Sequence, residues 1–547
     1  MVIILDDKFE EAIARNPHLK EYIDNYKKET GIMPDFFPKL SKDIVDIPVP
    51  SIIYPVGDPI FIHLKGDKTT REIQYIAIEP MMTEQEQKKY SQIMDSILER
   101  AADEIVPENE EQLRKLMMKL LNDSVHVEGK ILKMNFLDAL LGEKQIPLSH
   151  EEFDKISYYL ERNIIGQGPI EPVIRDPYLE DIHSIGVSGV FVVHKILGML
   201  HTNLTFGSQD YLGHWIHTIG ERIGRPVSDA RPIIDGTLPD GTRLNAIYST
   251  DISRKGSSFT LRKFMEIPAS ITQLIKWGSI DGNLASYLWL LLENQMSIFF
   301  SGETASGKTT MLNAALPFIN RKSKMYTVEN TAEVSPPQAA WQQLITREEG
   351  PKESQVDTFT LLKVALRSRP NYIIVGEIRG EEGAVAFQAM QTGHAVLATF
   401  HASSVKKLIQ RLTGEPINIP VTFADNLNAA LILQAIYRKG KFLRRCTSVE
   451  EIEGYLEEAG GVITRAVFEW DFTLDKHRFR GQNNSFILDK VATRLGYDDK
   501  RMVYDELSLR SKILNRMVEE NILDYYKVRD IIWNYQAKGL DGIPFEV

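Results

Sequence analysis

The chain has 547 residues, enough at roughly 150 per domain for three or four units that can each bury a core without disulfide or metal staples. Apolar and charged shares of 43% and 25% are those of an ordinary globular protein, and a net charge of −11 argues against a generic nucleic-acid coat. Cys446 is the one cysteine, which excludes an internal disulfide and a four-cysteine zinc site.

Met1-Val-Ile-Ile-Leu5 runs at once into Asp6-Asp7-Lys8, too short an apolar run for a signal peptide. Apolar stretches such as Tyr287–Leu292 fall far below the roughly 20 residues that span a bilayer. The expectation is a cytoplasmic protein.

Residues 1–150 are charge-rich and are expected to form a mostly helical, partner-docking region. Asp6–Glu29 reads as one helix, and Thr83–Gly142 as two or three amphipathic helices with stripes at Met94, Ile97 and Leu98 and at Leu113, Met117 and Leu120–Leu121. Between them Ser51–His63 carries β-branched and aromatic runs around Pro55-Val-Gly-Asp-Pro59, the pattern of two short strands and a turn.

Residues 151–263 change texture. A helix through Tyr158–Ile164 meets the break Gly166-Gln-Gly-Pro169, and strand-like pieces follow at Asp181–Val187, Val190–His194, Arg243–Tyr248 and Ser258–Phe264, with a helix over Tyr211–Ile223. This predicts a smaller α/β domain, with a linker at 264–270 in which Pro268 favours extended backbone. Residues 271–440 then alternate: strands at Met296–Phe300, Met325–Val328, Asn371–Val375 and Ala395–Thr399, with helices at Phe359–Arg367 and Glu382–Thr392. That order predicts a parallel sheet covered on both faces. In residues 441–547 the alternation gives way to a β patch (Val462–Thr473) and helices over Asp498–Glu520 and Tyr525–Ala537.

Gly302-Glu-Thr-Ala-Ser-Gly-Lys-Thr309 matches G-x-x-x-x-G-K-[ST], between an apolar strand and a helix. Glycines let backbone N–H groups turn around a polyphosphate, and the start of the helix favours the same anion. Lys308 is expected on the β- and γ-phosphates of ATP or GTP, and the Thr309 hydroxyl on Mg²⁺. Tyr372-Ile-Ile-Val-Gly-Glu377 is an apolar strand ending in a carboxylate that can hold a Mg²⁺-bound water or polarise the attacking one. Glu329 and Glu333 follow another strand, and either could serve as general base. His394 and His401 flank a strand so that one of them approaches the nucleotide as a γ-phosphate sensor. Arg367, Arg369 and Arg379 bracket the Glu377 strand, while Arg243 and Arg262 precede the motif; added positive charge stabilises a transferring phosphoryl group.

Gly302–Thr310, Tyr326–Glu333, Asn371–Arg379 and Thr392–His401 resemble, in order and spacing, the Walker A, Asp box, Walker B and His box of type II/IV secretion ATPases. Gly166–Pro172, Arg231–Asn245 and Ser258–Phe264 resemble the N-terminal domain of the archaeal and tight-adherence branch. The resemblance covers about residues 150–540. It implies a RecA-like P-loop motor domain with a parallel sheet, preceded by a smaller, PAS-like α/β domain, in a homohexamer that hydrolyses ATP with Mg²⁺. Gly302, Thr304, Ala305, Ser306, Gly307, Lys308, Thr309 and Thr310 would bind nucleotide, Glu333 would be the catalytic glutamate, and Glu377 the Walker B acid, with Thr309 and Glu377 on the metal. His401 aligns with the second His box residue, Arg243 and Arg262 would clamp the phosphates, and Arg367 or Arg379 would act at a subunit interface. Asn330 stands where the Asp box often has Asp.

The lack of a tetracysteine module argues against the bacterial secretion and pilus-extension branch, and Ile53–His63 looks most like the archaellum motor ATPase. The implied function is powering assembly or rotation of a pilus-like filament against a polytopic membrane platform protein and its motor partners, with membrane association indirect and no nucleic acid. The alternatives are an archaeal type IV pilus assembly or type II secretion ATPase, a nucleic-acid translocase or helicase, and a scaffold that binds nucleotide without turnover.

Overall fold

A computed structural model describes residues 7–41, 44–45, 47–129, 145–263, 267–347, 352–438, 441–458 and 460–547. The chain divides into two units, Met1–Lys263 and Phe264–Val547.

The first unit opens with two helices where the sequence suggests one, Asp7–Arg15 and Pro17–Thr30. Pro17 sits at the start of the second, where its missing N–H removes no helical bond. Twelve strands follow: β1 (Asp35–Phe36), β2 (Ser51–Pro55), β3 (Phe61–Gly66), β4 (Ile73–Ile78), β5 (Val125–Val127), β6 (Ile146–Leu148), β7 (Leu179–Ile185), β8 (Val190–His194), β9 (Gly198–Thr202), β10 (Ile233–Thr237), β11 (Arg243–Ile247) and β12 (Ser258–Arg262). Ten of them make one sheet in the order β1-β2-β3-β4-β9-β8-β7-β12-β11-β10.

Among the described residues of 1–150, four helices are joined by six short strands. Their β4 pairs parallel with β9, Gln74 opposite His201, so a single sheet crosses the boundary expected at 150/151. One large core follows the sheet, including Tyr54, Tyr75, Leu200 and Leu261 with Leu212, Trp215 and Ile216 of the helix Gln209–Arg222. The helix Glu84–Ala101 begins at a capping box in which Thr83 and Glu86 satisfy each other's backbone N–H groups. It packs through Ile93 and Ile97 against Met117 and Leu121 of the helix Glu110–Ser124. Leu98, assigned to that stripe from the sequence, is 62% exposed. The stretch expected as a third helix lies partly at 130–144, outside the described residues.

The second unit starts within the expected linker, of which residues 264–266 lie outside the described residues. Its strands are β13 (Ile298–Gly302), β14 (Met325–Glu329), β15 (Trp341–Ile345), β16 (Tyr372–Val375), β17 (Ala395–Phe400), β18 (Ala429–Arg438), β19 (Lys441–Leu456), β20 (Gly461–Asp471) and β21 (Lys476–Phe479). They form one sheet, β15-β14-β16-β17-β13-β18-β19-β20-β21. The first six are parallel, and β18 to β21 run as an antiparallel meander.

Burial on both faces explains the uninterrupted apolar runs of β13, β16 and β17, every residue of which is buried. One face packs on the helices Gly282–Glu293, Lys308–Ala315 and Met502–Glu519, the other on Thr358–Arg367 and Glu382–Gln391. This is the α/β, RecA-like parallel-sheet architecture expected of the motor region. Residues 441–547 are continuous with that sheet through β18–β19.

Candidate functional site

In a parallel α/β sheet a ligand sits at the carboxyl ends of the strands, and four motifs meet there. Gly302 ends β13 packed so closely on the Leu433 carbonyl and Ser306 Oγ that a Cβ would collide with both. Thr304 and Ala305 form the exposed tip of the loop, while Ser306 is buried and donates to Glu303 O at 2.7 Å. Ala305 has φ +60° and Gly307 φ +90°, the left-handed backbone that turns successive N–H groups inward. The helix Lys308–Ala315 then begins with no side-chain cap on its first N–H groups, so an anion has donors and a favourable dipole waiting. Thr310 is half-buried in its first turn.

Lys308 is buried and folds over the loop, donating from Nζ to Gly302 O at 3.1 Å and Glu303 O at 2.9 Å. Burial lowers its pKa, opposed by the negative charges of Glu377 and Glu333. Thr309 Oγ1 donates to Glu333 Oε2 at 3.1 Å, so the acid faces the loop directly. Glu333 is held there by Asn313 Nδ2, which donates to its carbonyl at 2.8 Å, and by Glu329.

The two glutamates that follow β14 take different places. Glu329 ends β14, is 2% exposed, and accepts from the N–H groups of Glu333 (2.9 Å) and Val334 (2.8 Å) and from Gln343 Nε2 (3.3 Å). Burial pushes its pKa up to about 7 against the pull of those two N–H bonds. It shapes the 329–333 turn, and the carboxylate that reaches the phosphate loop is that of Glu333. Asn330, at the position noted as a departure, accepts from Thr358 Oγ1 at 3.0 Å and so tethers the start of the next helix.

Glu377 lies two residues beyond β16, with Oε1 3.2 Å from His401 Nε2 and Oε2 paired with Arg379 Nη2. Burial, then the Lys308 charge, lower the His401 pKa, opposed by Glu377. His401 follows the carboxyl end of β17, whereas His394 precedes its amino end and contacts Thr392 Oγ1 at 3.1 Å. The two histidines are separated by strand ends as well as by faces. Arg379 is 65% exposed, and its backbone N–H is held by Glu382 Oε1 at 2.6 Å. Arg367 and Arg369 precede β16 and so lie at the amino ends of the strands, away from the phosphate loop of their own chain.

Arg243 and Arg262 belong to the first unit, where they face each other across β11 and β12. Each is paired with an aspartate, Arg243 with Asp235 at 3.2 Å and Arg262 with Asp181 at 3.0 Å. One contact was not legible in the sequence: Arg444 of β19 donates from Nε to Ala305 O at 2.9 Å, across 139 residues of chain. Leu443-Arg-Arg-Cys446 carries no motif that would flag it.

The donor chemistry fits a magnesium nucleotide. Mg²⁺ takes hard oxygens, one or two from protein and the rest from phosphates and water, and a threonine hydroxyl with nearby carboxylates meets that demand. Thr309 and Glu377 would supply the protein oxygens, and no group of three or more His, Cys, Asp or Glu side chains suited to an all-protein metal site occurs among the described residues. Lys308 and the loop N–H groups would take the phosphates. Among the described residues no helix is long and apolar enough to cross a membrane.

Known proteins resemble this chain along its whole length and in its core. A protein of Methanocaldococcus jannaschii, MJ0900, is 54% identical over all of both chains. A putative conjugal transfer protein of Mycobacterium tuberculosis, Rv3659c, is 26% identical over 46% of this chain and 74% of its own. The crystal structure of the pilus retraction motor PilT with ADP aligns with 67% of this chain and 94% of that one, at 15% identity and a TM-score of 0.37. The family model described as type II/IV secretion system protein matches residues 163–528, and the chain belongs to that family.

Proposed function

We propose that the protein is a Mg²⁺-dependent ATPase whose nucleotide site is the loop Gly302–Thr310, and that it drives a type IV pilus-like filament machine. The observation that carries this reading is the approach of Glu333 to Thr309, 3.1 Å, at the mouth of a phosphate loop that already holds Lys308 inward. A general base must lie within hydrogen-bond reach of the proton it takes, directly or through one water, and the bond between Thr309 and the Glu333 carboxylate supports that role for Glu333. Mg²⁺ would neutralise charge on the β- and γ-phosphates when bound. Lys308 would hold those phosphates, Thr309 and Glu377 would hold the metal, and His401, carrying its proton on Nε2, would keep Glu377 in place.

Arg243 and Arg262, each held by an aspartate within the first unit, would keep the phosphate-clamp role that the family resemblance implies. Arg379, exposed and adjacent to Glu377, is suited to a subunit boundary in a homohexamer. Family membership supports a motor of secretion or pilus type. The Ile53–His63 pattern favours the archaellum branch, with work delivered to a polytopic membrane platform protein from the cytoplasmic side. Residues 1–150 would carry partner contacts, and 151–263, 271–440 and 441–547 the clamp, the ATPase core and its tail.

The test is phosphate release by the purified full chain with MgATP, beside Lys308→Ala and Glu333→Gln. Turnover in the wild type that both substitutions abolish is the expected result. Equal phosphate release from all three proteins would overturn the assignment, and stimulation by DNA would favour a translocase instead.

A further inference from the structure

We propose that Tyr437 and Phe442, beside Arg444, form the platform on which the nucleobase of the bound nucleotide stacks. The inference rests on the nucleotide reading above and adds the half of the ligand that the phosphate loop does not touch.

The sheet itself builds the platform. β18 pairs with β13 only as far as Leu433 opposite Gly302, the residue that opens the phosphate loop. Gln434–Arg438 of β18 and the start of β19 therefore project past the carboxyl end of β13, alongside the loop. Within that projection Ala435 lies opposite Arg444 and Tyr437 opposite Phe442. Side chains two apart on a strand share a face, so Tyr437, Phe442 and Arg444 point the same way.

Direct contacts agree. The Tyr437 and Phe442 rings lie 5.1 Å apart, and the Arg444 guanidinium sits over the Phe442 ring at 5.3 Å. The same guanidinium donates to Ala305 O, and Cδ of the Arg444 side chain lies 3.4 Å from where a Cβ on Gly307 would stand. Aromatic face, arginine and phosphate loop thus form one continuous surface within a single unit.

The span suits a nucleotide. Two residues along a strand cover about 7 Å, so Phe442 lies beyond Arg444 by roughly the length of a ribose phosphate. Tyr437 is 76% exposed, an unusual setting for an aromatic ring whose neighbours are a second ring and a cation. A stacked base would cover it, and Arg444, next to the loop, would meet the ribose or α-phosphate. Stacking reads a π face rather than a base edge, so the platform would accept adenine and guanine alike.

The experiment compares ADP, GDP and inorganic tripolyphosphate binding by calorimetry to the full chain, with Tyr437→Ala, Phe442→Ala and Phe442→Trp. Loss of one stacking ring should weaken ADP and GDP about 10-fold and leave tripolyphosphate unchanged, with Phe442→Trp near wild type. Exposure of Tyr437 makes its substitution safe for folding. Unchanged ADP affinity in both alanine variants, or equal weakening of ADP and tripolyphosphate, would overturn the platform while leaving the phosphate site standing. Wild-type protein whose nucleotide binding did not respond to Lys308→Ala would overturn the nucleotide reading itself.

Discussion

The backbone N–H of Glu333 donates to Glu329 Oε1 at 2.9 Å, so one glutamate positions the other. The buried acid fixes the turn, and the second presents its carboxylate to Thr309. From this follows an asymmetry between two chemically identical substitutions. Glu333→Gln should slow ATP turnover by 10²- to 10⁴-fold, the usual contribution of a general base. Glu329→Gln retains an oxygen to accept both N–H groups and should lose roughly 10-fold or less. Steady-state kinetics on the two variants decides between them, and equal losses would count against Glu333 as the base.

Glu329 also sets a pH dependence of stability. Its folded pKa, about 7, lies above the carboxylate range of an unfolded chain, so the native state binds the extra proton between about pH 4.5 and 7. More protons bound in the native state means that stability falls as pH rises through that window. The contribution is complete below pH 4.5 and lost above 7. Glu329→Gln cannot titrate, so the difference in melting temperature between variant and wild type should grow in the variant's favour from pH 5 to 7.5. A difference that stayed flat with pH would show that Glu329 is ionised throughout.

Much of this site was legible in the sequence because its parts are local. A phosphate loop needs glycines at fixed spacing between a strand and a helix, and Gly302, Gly307 and Lys308 stand where such spacing puts them. Strand-end acids are legible for the same reason, since an apolar run that stops at a carboxylate marks both the strand and its carboxyl end. Residue type and position alone left Glu329 and Glu333 open and only the family resemblance favoured Glu333, because full burial of one and partial burial of the other depend on how the 329–334 turn folds back on β14. Arg444 was hidden for a stronger reason: its partner Ala305 is 139 residues away, and only the register of β18 with β13 and β19 brings them together. The same limit applies to β1–β4. β-branched and aromatic runs around a turn suggested two of these strands, β2 and β3, but their membership in one sheet with β7–β12 is a non-local pairing that no window of sequence contains.

Glu377 is held on one side by His401 and on the other by Arg379. Glu377→Gln should still bind ATP, since Lys308 and the loop N–H groups remain, yet hydrolyse it at least 10²-fold more slowly. Nucleotide binding measured by calorimetry next to turnover separates the two effects. Normal hydrolysis by the variant would remove Glu377 from the metal shell.

Stability of the motor unit depends on a third glutamate far from the nucleotide. Glu451 of β19 has no exposed surface, and it accepts from Tyr287 Oη at 2.7 Å, Phe486 N at 2.8 Å, Ile487 N at 3.3 Å and Ser485 Oγ. Three of those donors are the cap and first turn of the helix Phe486–Leu495, so the side chain ties the C-terminal helices to the sheet and meets the positive end of a helix dipole. Burial raises its pKa while the bonds oppose that shift. Glu451→Ala would strip the acceptor from four buried or half-buried donors at once, a loss of about 3–5 kcal/mol. Glu451→Gln preserves the shape and at least one accepting oxygen and should cost about 1–2 kcal/mol. Urea unfolding of the full chain, followed at the tryptophans of the second unit, should give that order. Glu451→Ala as stable as wild type would mean that water replaces the carboxylate, and that the C-terminal helices are held by apolar packing alone.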